Sequence, residues 1–366
     1  LEVLLLGNGF DIYHNLLTRY DNFMKIGRYI RNQSGCLYLK TRNVYNEIKA
    51  LCEVDNSIYN SLSMYKNAYL KTIIDPDEYF EFVSLIRCNC WFDYFDRVST
   101  KDGWVALEMQ IDSFLHEIKD NDISNAEPFL EFIKYHFNSN DMFNINITLY
   151  DVPKEEYDEL IFNEFESFIK LLKLYLKIFV NDVLSNIVHL YSFENEFINY
   201  SDYIITFNYT DTYKYLYNSN VDTIYIHGSV DNDIILGVNS NESDDLGNYD
   251  LRFIKYKKYY QRITKHTFNG LEKLVYDMKS MKTAKLLKVI GHSLDLADED
   301  ILTVIFDWFD SIIIYYHNDE ALDLYVKNLK KMYGAKMLSK LTFSQTFVFE
   351  RLPVNNYKKV IAHDQL

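Results

Sequence analysis

The sequence predicts an α/β fold, a mostly parallel Rossmann-like sheet with a large helical insertion after the first βα unit. Three observations carry that reading. Short apolar or β-branched runs recur at residues 3–6, 203–207, 223–226, 234–238, 287–290 and 312–316, the pattern of strands buried on both faces. The first run stops at Gly7-Asn8-Gly9-Phe10-Asp11, a strand-to-helix turn of the kind that opens nucleotide-binding α/β domains. Between the first run and the second, the periodicity is helical.

Taken in order, the elements divide the chain into a core of residues 1–31 with 201–366 and a helical insertion of residues 32–200. Within the insertion, Ile161, Phe165, Phe168, Leu172, Tyr175 and Phe179 follow steps of four and three and make one apolar stripe. Asp151, Pro153, Glu155 and Glu156 supply the start signals of that helix. Packing on the α/β core is the expected use of the stripe; a seam between copies of the chain, giving a homo-oligomer, is the second. Residues 239–248, rich in Asn, Ser, Asp and Gly, read as a loop. Residues 319–333, with Ala321, Leu322, Leu324, Tyr325, Leu329 and Met332, read as a helix, and residues 345–349 as a last strand at the sheet edge.

Composition narrows the function classes. Asp and Glu number 53 against 38 Lys and Arg, a net charge of −15, which argues against a broad surface for nucleic-acid backbones. Cys36, Cys52, Cys88 and Cys90 contain one C-x-C and no C-x-x-C pair, so neither a zinc module nor a disulfide framework is indicated and no metal is expected. No uncharged apolar run reaches membrane-spanning length, so the chain reads as cytoplasmic and without a membrane partner.

The residues that follow the runs are the most informative feature. Gly7-Asn8-Gly9, Asn208-Tyr209-Thr210, His227-Gly228-Ser229, Val238-Asn239-Ser240, Gly291-His292-Ser293 and His317-Asn318-Asp319 all fall where an open α/β sheet binds its ligands. Gly7 and Gly9 allow a backbone to approach a diphosphate, with helix amides as donors, while Asp11 suits a ribose or the ordering of the loop. Asn208 can orient ribose hydroxyls, and His227 can move a proton near neutrality. Gly291 to Asp295 begins like a nucleophile elbow, with Ser293 as nucleophile, which makes a serine hydrolase a rival reading; the fifth residue, Asp295, stands where that motif has Gly. Lys255, Lys258, Arg262 and Lys265 share helical spacing. They read first as a solvated face, and second as a clamp for a diphosphate or a nucleic-acid strand.

Together L-L-L-G-N-G-F-D at Leu4 to Asp11, T-F-N-Y-T-D at Thr206 to Asp211, Ile226-His227-Gly228, and G-H-S-L-D at Gly291 to Asp295 resemble the bacterial abortive-infection AbiH family. The resemblance implies anti-phage defence with a phage-derived trigger. The motif order is also similar to that of sirtuin-like NAD-binding domains of bacterial immunity. That likeness implies Asn208 and His227 as a catalytic pair, and NAD as substrate held by Gly7, Asn8, Gly9, Asp11, Gly228, Gly291, Ser293 and Asp295. The four-cysteine zinc module of sirtuin deacylases is absent from this sequence. The expected activity is therefore an NAD glycohydrolase or related nucleotide hydrolase. The alternatives are a nucleotide-sensing or effector-binding module without turnover and, more weakly, an RNA-acting nuclease or the serine hydrolase.

Overall fold

The computed structural model describes residues 1–33, 42–98, 104–119, 129, 154–187, 198, 201–217, 220–239, 251–267, 270–280 and 282–353. Six strands form one sheet: β1 (Glu2–Leu6), β2 (Tyr203–Thr206), β3 (Asp222–Tyr225), β4 (Leu286–Ile290), β5 (Ser311–Tyr316) and β6 (Phe347–Arg351). Every pairing is parallel, in the order β3-β2-β1-β4-β5-β6. Leu5 lies level with Ile205 on one side and Val289 on the other. Alternation then sends Val3 and Leu5 into one apolar cluster, and Leu4 and Leu6 into another. Both faces of the central strands are thus covered, which is why these runs are continuously apolar.

Against the Val3 and Leu5 face pack α13 (Leu271–Ser280), α14 (Glu299–Phe306) and α15 (Asp319–Phe343), through Leu274, Leu302, Ile305, Tyr325 and Leu329. Helix α15 continues beyond the expected segment by bending at Gly334, whose φ is 72°. On the opposite face lie Phe10 of α1 (Asn8–Tyr13) and Tyr213 of α11 (Thr212–Leu216).

Between α1 and β2 every described element is helical: α2 (Tyr20–Asn32), α3 (Val44–Ile48), α4 (Asn56–Met64), α5 (Lys66–Lys71), α6 (Pro76–Cys88), α7 (Cys90–Arg97), α8 (Trp104–Lys119), α9 (Lys154–Leu176) and α10 (Asp182–Ser185). A π-helical turn, Lys177–Asn181, joins α9 to α10. The stripe from Ile161 to Phe179 is at most 1% exposed and shares its cluster with Phe23, Phe82, Trp91 and Phe95. It is consumed within the chain and offers no seam to a second copy. Asp151 and Pro153 lie outside the described residues, as does the expected loop after Asn239.

The expected strand at residues 234–238 is not formed; only isolated bridges join Gly228 to Ile234 and Val238 to Lys257. The run is apolar because it packs into the helical cluster through Ile234, Leu236 and Val238. Its backbone is satisfied in another way. The Gln261 amide donates to Leu236 O at 2.7 Å, and Val238 N donates to Tyr256 O at 2.9 Å. No helix among the described residues is long and apolar enough to cross a membrane.

Candidate functional site

In this strand order the direction of winding reverses between β1 and β4, where a doubly wound sheet opens its ligand crevice. Here the turns that follow those two strands lie against each other. A Cβ on Gly7 would sit 2.5 Å from His292 Cα, and one on Gly9 2.7 Å from Gly291 Cα. Gly291, with φ of 69°, would place its Cβ 2.1 Å from Phe10 N. Gly7 N donates to Ile290 O at 3.1 Å, Gly9 N to Gly291 O at 2.7 Å and Phe10 N to Gly7 O at 2.8 Å. The glycines therefore permit backbone-to-backbone packing of two turns, and these three amides donate within the protein. Asn8, half-buried, opens α1.

Beside this contact the ends of β1, β2 and β3 wall a shallow open cleft. Asn208 lines it, held by hydrogen bonds from Nδ2 to Gly7 O and to Asp11 Oδ1, each 3.0 Å. Thr210 donates to the other Asp11 oxygen at 2.6 Å. Asp11 is 1% exposed, and burial pushes its carboxyl up to about 7 against the hydrogen bonds from Thr210, Thr212 and Asn208. Across the cleft, buried Asp211 accepts from Tyr225 OH through Oδ1, while Oδ2 has no hydrogen-bond donor and lies 3.6 Å from Lys214 Nζ. Asn181, at the end of the π turn, accepts the Asp211 amide at 3.0 Å. Two buried acceptors, Asn208 Oδ1 and Asp211 Oδ2, are left without a hydrogen-bond donor.

His227 belongs to a second cluster, and no hydrogen bond or ion pair joins it to Asn208. Its Nε2 lies 3.1 Å from Asp298 Oδ1, out of line for a hydrogen bond. The same oxygen is 3.0 Å from Lys258 Nζ, which also meets Glu108 Oε1 of α8 at 2.8 Å. His292 Nε2 stands 3.6 Å from Asp298 Oδ2, while its Nδ1 accepts the Leu294 amide at 3.0 Å. Burial lowers His227 to about 4 against the pull of Asp298. For Asp298, burial acts upward but Lys258 and His227 outweigh it, holding the carboxyl well below its usual range. Burial raises Glu108. Among the described residues no grouping of His, Cys, Asp and Glu is placed to hold a metal ion.

The remaining expected residues have local duties. Gly228, with φ of 75°, turns the chain where a Cβ would strike Asp233 O. Asp295 caps the short 3-10 turn Leu296–Asp298 by accepting from Ala297 N at 3.0 Å. Ser293 lies in the turn after β4, where Leu294 rather than the serine takes the positive φ of 52°, and no hydrogen bond among the described residues links Ser293 Oγ to a histidine. That is not the strained, base-activated nucleophile an elbow requires.

The basic stripe is corrected at Lys258 and Arg262. Lys258 and Arg262 are 2% and 1% exposed, on α12 (Lys258–Thr264), and Arg262 pairs with Asp300 of α14. Lys255 and Lys265 pair with Glu159 and Glu166 of α9. The spacing reflects ion pairing in an acidic chain: Lys258 and Arg262 are buried, while Lys255 stays on the solvated surface. Lys258 and Asp211 stood within patterns that the sequence displays without revealing their partners, and Asp298 lies three residues beyond the G-H-S-L-D motif; Glu108 carried no signal at all.

No curated protein and no solved structure matches the chain. A family model described as bacteriophage abortive infection AbiH matches residues 3–316, a span that runs from Val3 of β1 to the end of β5 and takes in the motifs at Leu4 to Asp11, Thr206 to Asp211, Ile226 to Gly228 and Gly291 to Asp295. The chain therefore belongs to the AbiH family of bacteriophage abortive infection, which assigns it a role in antiviral defence.

Proposed function

We propose that the chain acts in defence by hydrolysing the glycosidic bond of NAD or a related nucleotide at the carboxyl edge of the sheet. The observation that carries this reading is Asn208. The residue lines the cleft, its amide nitrogen is fixed by Gly7 and Asp11, and its buried Oδ1 has no donor. Leaving such an acceptor unmade costs about 1–3 kcal/mol, and a ribose hydroxyl would supply the donor. Asp211 adds a second buried acceptor without a hydrogen-bond donor to the cleft wall, which suits hydroxyls and disfavours phosphate, so a diphosphate would lie outside it. In the reaction the C1′–N bond breaks, water oxygen bonds to C1′, nicotinamide leaves with the bonding pair, and the proton shed by water passes to a base. His227, neutral at physiological pH, fits that last role.

A second reading, a nucleotide sensor without turnover, is favoured by one observation: the cleft encloses room for about one water, far below the roughly 300 Å³ at which sites enclosing a whole small molecule begin. One experiment separates the two. NAD loss and product formation are followed by chromatography with wild-type chain, Asn208→Ala and His227→Ala, alongside NAD binding by calorimetry. The expected result is turnover by the wild type that is lost in both folded variants. Turnover that survives in both sinks the assignment, and binding without turnover establishes the sensor.

A further inference from the structure

We propose that Asp298 and Lys258 are positioning residues for His227: Asp298 stands against the imidazole at the end of β3, and Lys258 offsets the carboxylate's charge so that the ring is presented neutral, as a proton acceptor. The inference rests on His227 taking the proton in the reaction proposed above.

The geometry is one of shared oxygen. Asp298 Oδ1 is 3.1 Å from His227 Nε2 and 3.0 Å from Lys258 Nζ, so the ammonium and the imidazole compete for one negative centre. A buried carboxylate alone beside a histidine favours the imidazolium; burial opposes that preference most strongly, and a full positive charge on the same oxygen opposes it further. The other groups around His227 do not restore it. From α12, Arg262 adds a second cation, itself paired with Asp300. From α8, Glu108 reaches Lys258 and not the imidazole. His292 turns Nε2 toward the far oxygen of Asp298, because its Nδ1 is occupied by the Leu294 amide. The remaining neighbours are rings: Phe207 stands 5.1 Å from His227 and 4.3 Å from His292, centroid to centroid, and Tyr209 lies 6.5 Å from His227. Burial against these walls acts in the same direction as Lys258.

Stability gives no reason for such a group. Removing an ammonium from water to 2% exposure is expensive, and buried ion pairs replaced by apolar side chains of similar volume are often neutral or stabilising. A lysine retained at that cost has a use in setting the charge of its neighbours.

The test is a pH titration of ring-labelled histidines by NMR on the full chain without substrate, with His227 assigned from its loss in His227→Gln. In the wild type, His227 is expected to stay neutral through pH 6, with a midpoint well below the roughly 6.5 of a free histidine. In Lys258→Met it should bind its proton about tenfold more tightly, an upward displacement of the midpoint by about one pH unit, and Lys258→Arg should return it toward the wild-type value. An unchanged midpoint in a folded Lys258→Met overturns the proposal. Should that variant fail to fold, a wild-type midpoint at or above that of free histidine overturns it by itself. Because no nucleotide is present, a neutral His227 in a chain that leaves NAD intact refutes the reaction and not the positioning.

Discussion

At the scale of single residues, glycine is selected here for two separable reasons. Gly291 and Gly334 both have positive φ, 69° and 72°, yet only Gly291 has a neighbour where a Cβ would go, the Phe10 amide at 2.1 Å. Gly334→Ala should therefore cost only backbone strain, about 1–3 kcal/mol. Gly291→Ala should cost clearly more, because backbone on the facing turn cannot move aside as a flexible side chain can. Urea denaturation of the two variants measures the difference; equal losses would show that turn packing does not select Gly291. The sequence displayed both turn motifs, but it could not show that Gly7, Gly9 and Gly291 serve one another. The dipeptide patterns of a ligand-binding turn and of two interlocked turns are alike, since both demand close backbone approach.

At the scale of elements, periodicity identified helices well and their surroundings poorly. The Ile161 to Phe179 stripe was legible as buried because apolar residues at helical spacing have few fates, yet it packs within the helical cluster and not against the sheet as the spacing suggested. The spacing from Lys255 to Lys265 is equally helical, yet it hides two opposite environments. Arg262 is 1% exposed at its pair with Asp300, whereas Lys255 is 42% exposed and its partner Glu159 is 56% exposed. Arg262→Ala should destabilise the chain by about 2–5 kcal/mol, because it empties the space of a large buried side chain, although its partner Asp300 is 37% exposed. Lys255→Ala should cost less than about 1 kcal/mol. Chemical denaturation again decides, and comparable costs would contradict the burial of α12. Residues 234–238 were misread for a related reason: an apolar run signals burial, while the partner that satisfies its backbone, here Gln261, is remote in sequence.

At the scale of the whole molecule, buried titratable groups act against one another. Asp11, raised to about 7, binds a proton in the folded chain that the unfolded chain releases near 3.8; its contribution to stability is complete below 3.8 and is lost as pH rises through 7. Glu108, also raised, acts in the same direction. His14 and His227, lowered by burial to about 4, contribute stability that is present above 6.5 and lost as pH falls through 4. Between pH 4 and 7 these contributions largely cancel, so wild-type stability should change little there on their account. Asp11→Asn removes one side of the balance. Relative to wild type it should gain roughly 4 kcal/mol between pH 4 and pH 8, read from urea midpoints; a difference independent of pH would mean that Asp11 is not held protonated. The sequence by itself determined the parallel α/β core, the helical stretch between its first two strands and the family, because continuous apolar runs, helical spacing and turn residues are local consequences of what each segment must bury. Only the tertiary structure decided that Asn208 joins Asp11 while His227 joins Asp298, Lys258 and Glu108. Those partnerships depend on charge and hydrogen-bond satisfaction between segments tens to hundreds of residues apart, and no local pattern encodes which buried group will meet which.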